Sequence, residues 1–309
     1  MTMVFSAKTL SAPLRVYWAL APADHAGLSP GLALDAASEL AGLKVFFVTL
    51  RLLSGPRDDL REIVGRLKKG GVRVTVSFSG VSCFSGFDDV SGVDGIDLSP
   101  PDTDALDGLL KVLASAPKGK PLSVSVVPER GNIDAVARII ARSLDAGIRV
   151  FAFPNPDLVS EHVDADRFVL DDADRGRLKA EVETLLVPYG KDVKLSVHDL
   201  FLHKSLELPG LGAVVEYAGC QAGDAIAFID HAGLVYPCST WPEPLGRLGP
   251  CTFRDVWSSE SRSMMREAVS RVPDGCAGCP EARVCKGGCA GLAFAMGRPG
   301  GRDPGCGLK

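Results

Sequence analysis

Short apolar runs alternate with amphipathic segments along the first 200 residues. The runs are rich in β-branched and aromatic residues, which is typical of buried strands. They cover residues 14–21, 44–50, 72–79, 95–99, 122–127 and 148–153, and a last strand is predicted at 194–200. Because the runs are almost continuously apolar, we expect a parallel sheet that helices cover.

The segments between these strands have helical spacing. Ser29-Pro30 predicts an N-cap and a first-turn proline for a helix that ends at Gly42. Asn132 is the predicted N-cap of another helix, and further helices are predicted over 56–69, 102–114 and 171–187. The alternation predicts an α/β fold. Six units over residues 1–205 fit an open, partial (β/α)6 TIM-like barrel better than a doubly wound sheet.

Residues 206–309 form a second predicted domain, because Gly, Pro and Cys replace helical periodicity there. Residues 208–210 are its predicted linker, and 254–269 its one clear helix, with Trp257 and Met265 facing inward. A β-hairpin is predicted from strands 225–229 and 234–236, with Gly233 closing the turn at positive φ. So few large apolar side chains form a core poorly, and metal centres would supply the missing stability.

Charge and hydropathy limit the partners. The net charge of the 309 residues is −4, and no Lys/Arg-rich run appears, which argues against nucleic-acid binding. No stretch of about eighteen apolar residues predicts a membrane helix. The apolar run at 16–21 is short and is followed by Pro22, which does not favour a signal peptide. We therefore expect a cytoplasmic protein without nucleic-acid or membrane partners.

The cysteines are concentrated near one end. Of the nine, only Cys83 precedes residue 220. The later ones are spaced as Cys220-x12-Gly-x4-Cys238, then Cys251, then Cys276-x2-Cys279-x5-Cys285-x3-Cys289, then Cys306. In a reducing compartment such clustering indicates metal rather than disulfides. Typical zinc sites use paired two-residue gaps, and only one such gap exists, which favours iron–sulfur clusters over zinc.

With these features, residues 215–309 resemble the SPASM domain of radical S-adenosylmethionine (SAM) peptide maturases. The resemblance rests on the Ile229–Cys238 hairpin, Leu-Gly-Arg-Leu at 245–248, Asp-Val-Trp at 255–257 and the cysteine spacing. It implies two auxiliary iron–sulfur clusters of the 4Fe–4S type. The implied ligands of the first are Cys220, Cys238 and Cys289, and those of the second are Cys276, Cys279, Cys285 and Cys306.

The first set lacks a fourth cysteine. An open iron site, a non-cysteine ligand and Cys251 are the alternatives for that position. Because free cysteine behaves as a small apolar residue, we expect Cys251 to be an ordinary buried thiol outside the ligand set, and Cys83 to lie in the core or a loop.

The N-terminal half resembles the radical SAM partial barrel without its catalytic residues. That family carries a C-x3-C-x2-C loop after the first strand, whose cluster cleaves SAM, whereas residues 21–29 here contain no cysteine. Its Gly-Gly-Glu-Pro segment after the second strand is replaced by Arg-Leu-Leu-Ser-Gly-Pro at 51–56. The resemblance is therefore to a degenerate member that neither binds nor cleaves SAM by itself.

The resemblance implies an accessory protein that works beside an intact radical SAM/SPASM maturase on a ribosomally made precursor peptide. Within the family, the subgroup it resembles is the SPASM-domain protein of the GeoRSP peptide-modification system. Electron relay and peptide presentation are the expected roles, and Glu129-Arg130 is expected at the barrel mouth. The alternatives are an enzyme that uses an open iron at the first cluster and a structural zinc module for interactions.

Overall fold

The computed structural model describes residues 10–21, 27–53, 57–84, 92–114, 119–160, 164–206, 208 and 219–307, without the side chain of Val284. Within these residues ten strands form one sheet: β1 (Arg15–Leu20), β2 (Phe47–Leu52), β3 (Arg73–Phe78), β4 (Gly95–Leu98), β5 (Leu122–Ser125), β6 (Val150–Phe153), β7 (Lys194–Val197), β8 (Ile226–Ile229), β9 (Leu234–Tyr236) and β10 (Gly246–Arg247). The strand order is β10-β9-β8-β1-β2-β3-β4-β5-β6-β7.

Strands β1 to β7 are parallel neighbours in chain order. The connecting helices are α1 (Pro30–Gly42), α2 (Leu60–Lys69), α3 (Thr103–Ala114), α4 (Ile133–Asp145), α5 (Asp172–Leu186) and α6 (Leu200–Ser205). The prediction of an α/β fold with a parallel, helix-covered sheet is confirmed.

Both predicted N-cap positions are confirmed, because Ser29 precedes α1 and Asn132 precedes α4, but neither side chain makes a capping hydrogen bond. Asn132 bonds backwards instead: its Oδ1 accepts from the Glu129 N–H at 2.9 Å, and its Nδ2 donates to the Val127 carbonyl at 3.0 Å. Asn132 is thus the N-cap residue of α4 by position, while its side chain closes the turn after β5, because a short amide side chain can satisfy nearby backbone groups as well as a helix end.

The main core lies between the sheet and the helices. In β2, Val48 and Leu50 are buried against it, whereas Thr49 and Arg51, which alternate with them along the strand, face the barrel interior and line a cavity. The strands are therefore two-faced, with an apolar outer face under the helices and a polar inner face. A closed eight-stranded barrel fills its interior with branched aliphatic side chains, whereas the inner face of β2 here carries Thr49 and Arg51, which line the cavity.

The sheet continues across the predicted domain boundary. Strand β8 pairs in parallel with β1, from Arg15 opposite Ile226 to Trp18 opposite Ile229, and β9 and β10 extend the sheet antiparallel. The Trp257 indole, buried in the main core, donates to the Leu10 carbonyl at 3.3 Å. The cysteine-rich region therefore shares both sheet and core with the barrel.

The predicted helix at 254–269 is two helices, α7 (Phe253–Trp257) and α8 (Glu260–Ser270). The break occurs because Ser259 is extended and its Oγ accepts from the Arg262 N–H, which starts α8 anew. Two short helices follow, α9 (Ala282–Cys285) and α10 (Ala290–Ala295). Trp257 and Met265 are buried, as predicted. Nowhere in the described ranges is a helix both long and apolar enough to cross a membrane.

Candidate iron–sulfur sites

The hairpin β8–β9 brings the first two cysteines of the series together. Asp230 Oδ1 accepts from the backbone N–H groups of Ala232 and Leu234, at 3.0 and 2.8 Å, and Gly233 closes the turn at φ +83°. At the open end, the Gly223 N–H donates to the Pro237 carbonyl at 3.0 Å. Gly223 lies three residues after Cys220, and Pro237 directly precedes Cys238. The hairpin register therefore places Cys220 beside Cys238.

Cys220, Cys238 and Cys289 line one cavity. Burial raises the pKa of Cys238 to about 12, and the neighbouring Cys220 adds to the rise. Burial is also the main reason why the pKa of Cys289 lies well above its ordinary value. The nearby Asp303, Cys220 and Cys238 raise this pKa further. Three thiols that oppose each other's ionisation need a cation to hold them as thiolates, because the thiolate is the ligand form.

Cys276, Cys279, Cys285 and Cys306 line a second cavity, beside Lys204 of α6. Burial raises the pKa of Cys276, and Cys306 and Cys279 raise it further. The pKa of Cys285 is raised by burial, then by Asp303, Cys306 and Cys276. The seven predicted ligands thus lie in two groups with the membership that the resemblance implies. Their role as ligands stays a prediction.

The local chain in the second group is tightly turned. The Cys279 N–H donates to the Cys276 carbonyl at 3.1 Å, which folds the two-residue gap into a turn. After α9, Lys286 adopts a left-handed conformation at φ 50°, and Gly287 and Gly288 follow at φ 92° and 76°. These three residues reverse the chain between Cys285 and Cys289, so neighbouring cysteines point to different cavities.

Two cysteines lie outside both groups. Cys251 is exposed, so the expectation that it is a buried thiol is wrong. It lies between β10 and α7, next to Thr252, the N-cap residue of α7. Cys83 is buried, as expected, in the short helical turn 81–83 after β3, and it lines the barrel cavity.

Asp303 was not predicted from the sequence. Its side chain is 1% exposed and its Oδ2 accepts from the Cys289 N–H at 2.6 Å. Burial, and then Asp199, raise its pKa to about 7. No sequence motif marks this residue, because its partner Cys289 lies fourteen residues away along the chain.

The barrel encloses a cavity of about 500 Å³ on the polar face of its strands. At its floor, the buried carboxyl of Asp97 accepts from Ser77, Ser123 and Ser125 at 2.9, 2.6 and 2.7 Å. Burial raises the pKa of Asp97, and the three hydroxyls oppose the rise. Cys238 also lines this cavity, which therefore adjoins the first cysteine group.

The expectation for Glu129-Arg130 is half right. Glu129 lines the cavity and pairs with Arg167 at 2.8 Å. Arg130 instead pairs with Asp166 at 3.1 Å on the exposed surface and does not line the cavity.

An arginine links the two segments that would carry SAM chemistry in the resembled family. Arg57, which follows the second of them, is almost fully buried and donates to the carbonyls of Ala21 and Leu28 at 2.9 and 2.8 Å. Its Nε also donates to Asp59 at 2.6 Å. Ala21 and Leu28 flank residues 22–26, which, like 54–56, lie outside the described residues. Arg57 therefore braces both ends of the cysteine-free loop.

Comparison with known proteins agrees with this geometry. Residues 220–280 match the SPASM model, an iron–sulfur cluster-binding domain. The mycofactocin maturase MftC of Mycolicibacterium smegmatis is 36% identical over 117 residues, which are 35% of this chain and 28% of that protein. The structure of SuiB from Streptococcus suis superposes with a TM-score of 0.70 over 98% of this chain and 79% of that chain, at 14% identity. The chain therefore carries a SPASM domain and shares the fold of SuiB.

The SPASM match bears on the cofactor class, because domains of this kind bind iron–sulfur clusters. A second SuiB structure, solved with its precursor peptide SuiA, superposes with a TM-score of 0.67 over 98% of this chain and 77% of that one, at 16% identity. At such identities the likeness establishes the fold alone. The MftC match spans less than a third of that relative.

The donor set fits clusters in its chemistry. The two cavities present three and four thiols, and thiolates are the ligands that iron–sulfur clusters take. Across the described ranges, no three His, Cys, Asp or Glu side chains stand together as the ligands of a single metal ion would. Cluster ligands instead surround a whole inorganic core.

Proposed function

We propose that this SPASM protein binds two 4Fe–4S clusters and serves as an accessory protein in a radical SAM peptide-modification system. The observation that supports this most directly is the division of seven cysteines between two cavities, three around one and four around the other. Beside them stands a barrel with no cysteine at positions 21–29, where the family binds its SAM-cleaving cluster.

Cys220, Cys238 and Cys289 would hold the first cluster, and Cys276, Cys279, Cys285 and Cys306 the second. When bound, such clusters supply one-electron transfer at a potential that burial and hydrogen bonds to sulfur set. The chain's own contribution is to bury the thiols of the first group and to keep them beside the barrel cavity.

The cavity gives peptide presentation a physical basis. Its volume of about 500 Å³ is large enough for a few amino-acid residues of a peptide, and its lining is rich in serine hydroxyls that could hydrogen-bond to a peptide. SuiB, which shares the fold, has been solved with a precursor peptide. By analogy, a ribosomal precursor peptide is the proposed guest, and an intact radical SAM/SPASM maturase is the proposed partner, in the cytoplasm.

Anaerobic reconstitution with iron and sulfide tests the cluster proposal. We expect about eight irons per chain and broad absorption near about 400 nm, as for two four-iron clusters. Fewer than about three irons with no such absorption would defeat it. Stoichiometric zinc in the anaerobically purified protein, with no iron uptake, would favour the structural zinc module instead.

The accessory role needs a partner experiment. An intact maturase of the same system should modify its peptide faster when this protein is present and cluster-loaded than when it is present without iron. Equal rates in both samples would remove the electron-relay role.

One observation favours a second function. Cys238 lines both the first-group cavity and the barrel cavity, so an open iron site there would face a bound peptide. Such an iron could act as a Lewis acid towards the peptide. Turnover of a candidate peptide by the loaded protein alone would support this enzyme and refute the accessory role.

A further inference from the structure

Asp303 contacts both cysteine groups through hydrogen bonds. Its Oδ2 accepts from the backbone N–H of Cys289, in the first group, at 2.6 Å. Its Oδ1 accepts from the N–H of Gly305 at 2.7 Å, and its own carbonyl accepts from the N–H of Cys306, in the second group, at 3.0 Å. One residue therefore fixes the backbone at a cysteine of each group.

The chain between the two groups is folded against Asp303. The Asp303 N–H donates to the Gly287 carbonyl at 2.9 Å. A Cβ atom at Gly288 would lie 2.5 Å from the Asp303 Cβ, so the loop from Cys285 to Cys289 approaches this carboxyl more closely than any side chain would permit. Gly288 also has φ +76°, which disfavours other residues.

The carboxyl acts electrostatically on thiols of both groups. Burial raises the pKa of Cys289 most, and the Asp303 carboxyl is the second largest cause of the rise. Asp303 also raises the pKa of Cys285, which lines the other cavity. The bonding geometry alone already places Asp303 between the groups, and this influence agrees with it.

Asp303 is also fixed to the barrel. Arg175 of α5 donates to the Gly305 carbonyl at 3.3 Å and to the Leu170 carbonyl at 2.5 Å. The turn 303–305 that carries Asp303 is therefore held by the barrel on one side and by the cysteine loops on the other.

We propose that Asp303 is a shared positioning residue that holds the two cysteine groups in register, so that both clusters depend on it for assembly and for their electronic environment. The proposal rests on the proposed function, since it presupposes that the two groups bind clusters. It differs from a ligand role, because the carboxylate oxygens are engaged by backbone N–H groups.

The test compares four variants of the full chain after anaerobic reconstitution: Asp303→Ala, Asp303→Asn, Cys279→Ser and the control Asp274→Ala. Asp274 is an exposed carboxylate two residues before Cys276. The measurements are iron and sulfide per chain, the electron paramagnetic resonance signal of each reduced cluster, the reduction potential of each cluster, and far-ultraviolet circular dichroism for folding.

We expect Asp303→Ala to weaken retention of both clusters about tenfold or more in a chelator challenge, as loss of an outer-sphere partner does in other metal sites. Its two resonance signals should fall in the same proportion. Cys279→Ser should reduce the second signal far more than the first, and Asp274→Ala should match the wild-type protein. Loss of one signal alone in Asp303→Ala, or full retention of both, would overturn the proposal.

Asp303→Asn keeps the proposal testable if the alanine variant fails to fold. The amide oxygen can still accept from the Cys289 N–H, but the amide nitrogen cannot accept from Gly305, so iron content should recover to a level between those of the alanine variant and the wild type. Both reduction potentials should rise together, because an amide replaces a carboxyl between the clusters, whereas a purely packing role would leave both unchanged. Wild-type protein that takes up no iron would overturn the proposed function as well, which distinguishes the two failures.

Discussion

Asn155 Nδ2 lies 4.0 Å from Cys289 Sγ, so a residue that follows barrel strand β6 donates towards a sulfur of the first cysteine group. The neighbouring chain is held against the cysteine region as well, because the Leu158 N–H donates to the Ser239 carbonyl at 2.9 Å. The barrel therefore reaches the first group through its own backbone and one amide side chain.

This contact predicts that Asn155→Ala lowers the reduction potential of the first cluster. N–H donors to sulfur stabilise the reduced, more negative cluster, so losing one makes reduction harder. A hydrogen bond worth ~0.5–1.5 kcal/mol corresponds to about 20–60 mV for one electron. Spectroelectrochemical titration of the loaded protein measures the potential of each cluster.

The second cluster is the internal control, since Asn155 does not line its cavity. Its potential should stay at the wild-type value in Asn155→Ala. Equal shifts at both clusters would indicate a general structural change rather than a lost bond to Cys289.

The exposed Cys251 provides a test of which cysteines are cluster ligands. Cys251→Ser should bind as much iron as the wild-type protein, whereas Cys238→Ser should lose the first cluster, because Cys238 lies in the first group and Cys251 in neither. In the loaded wild-type protein, maleimide should label Cys251 ahead of every other cysteine, read by peptide mass spectrometry. Loss of a cluster signal in Cys251→Ser would instead make Cys251 the missing fourth ligand.

Removing the arginine brace should destabilise the barrel. Arg57→Ala leaves the carbonyls of Ala21 and Leu28 without their donor in a buried site. Unsatisfied buried groups cost about 1–3 kcal/mol each, so we expect the free energy of unfolding to fall by roughly 2–4 kcal/mol. Urea unfolding followed by circular dichroism measures it.

A matched surface arginine controls for charge removal. Arg177 pairs with Asp134 at 2.8 Å, and both side chains are more than half exposed. Arg177→Ala should therefore cost under about 1 kcal/mol, since exposed ion pairs contribute little. Similar losses in Arg57→Ala and Arg177→Ala would contradict the bracing role.

Much of the scaffold was predictable because its signals are local. Apolar runs mark β1 to β7, and Gly233 marks the hairpin turn that sets Cys238 beside Cys220. Cysteine spacing carries the two-group arrangement only through the resemblance. Whether the thiols bind clusters remains a prediction, and so does the domain boundary at 205–206, which the sheet crosses between β1 and β8.

What the sequence did not reveal depends on long-range contacts or on which way a side chain points. Asp303 acts on the Cys289 backbone fourteen residues away, so no residue-type pattern marks it. The apolar character of cysteine favoured burial for Cys251, but the residue is exposed in the segment between β10 and α7. The sequence predicts Thr49 within a buried run and Arg51 as the first residue after it, but both belong to β2 and line the cavity.

The buried carboxyl of Asp97 predicts a pH-dependent stability. Burial raises its folded pKa above the unfolded value of 3.8, so the native chain holds this proton to a higher pH than the unfolded chain does. The associated stability is fully present below 3.8 and is lost as the pH rises through the folded pKa. Asp97→Asn cannot titrate, so the stability difference between wild type and variant should shift towards the variant as pH rises from about 4.5 to 7.5. Urea unfolding of the loaded proteins across that range measures it. A wild-type advantage that grows with pH would mean that the serine hydroxyls outweigh burial and that the carboxyl is held ionised.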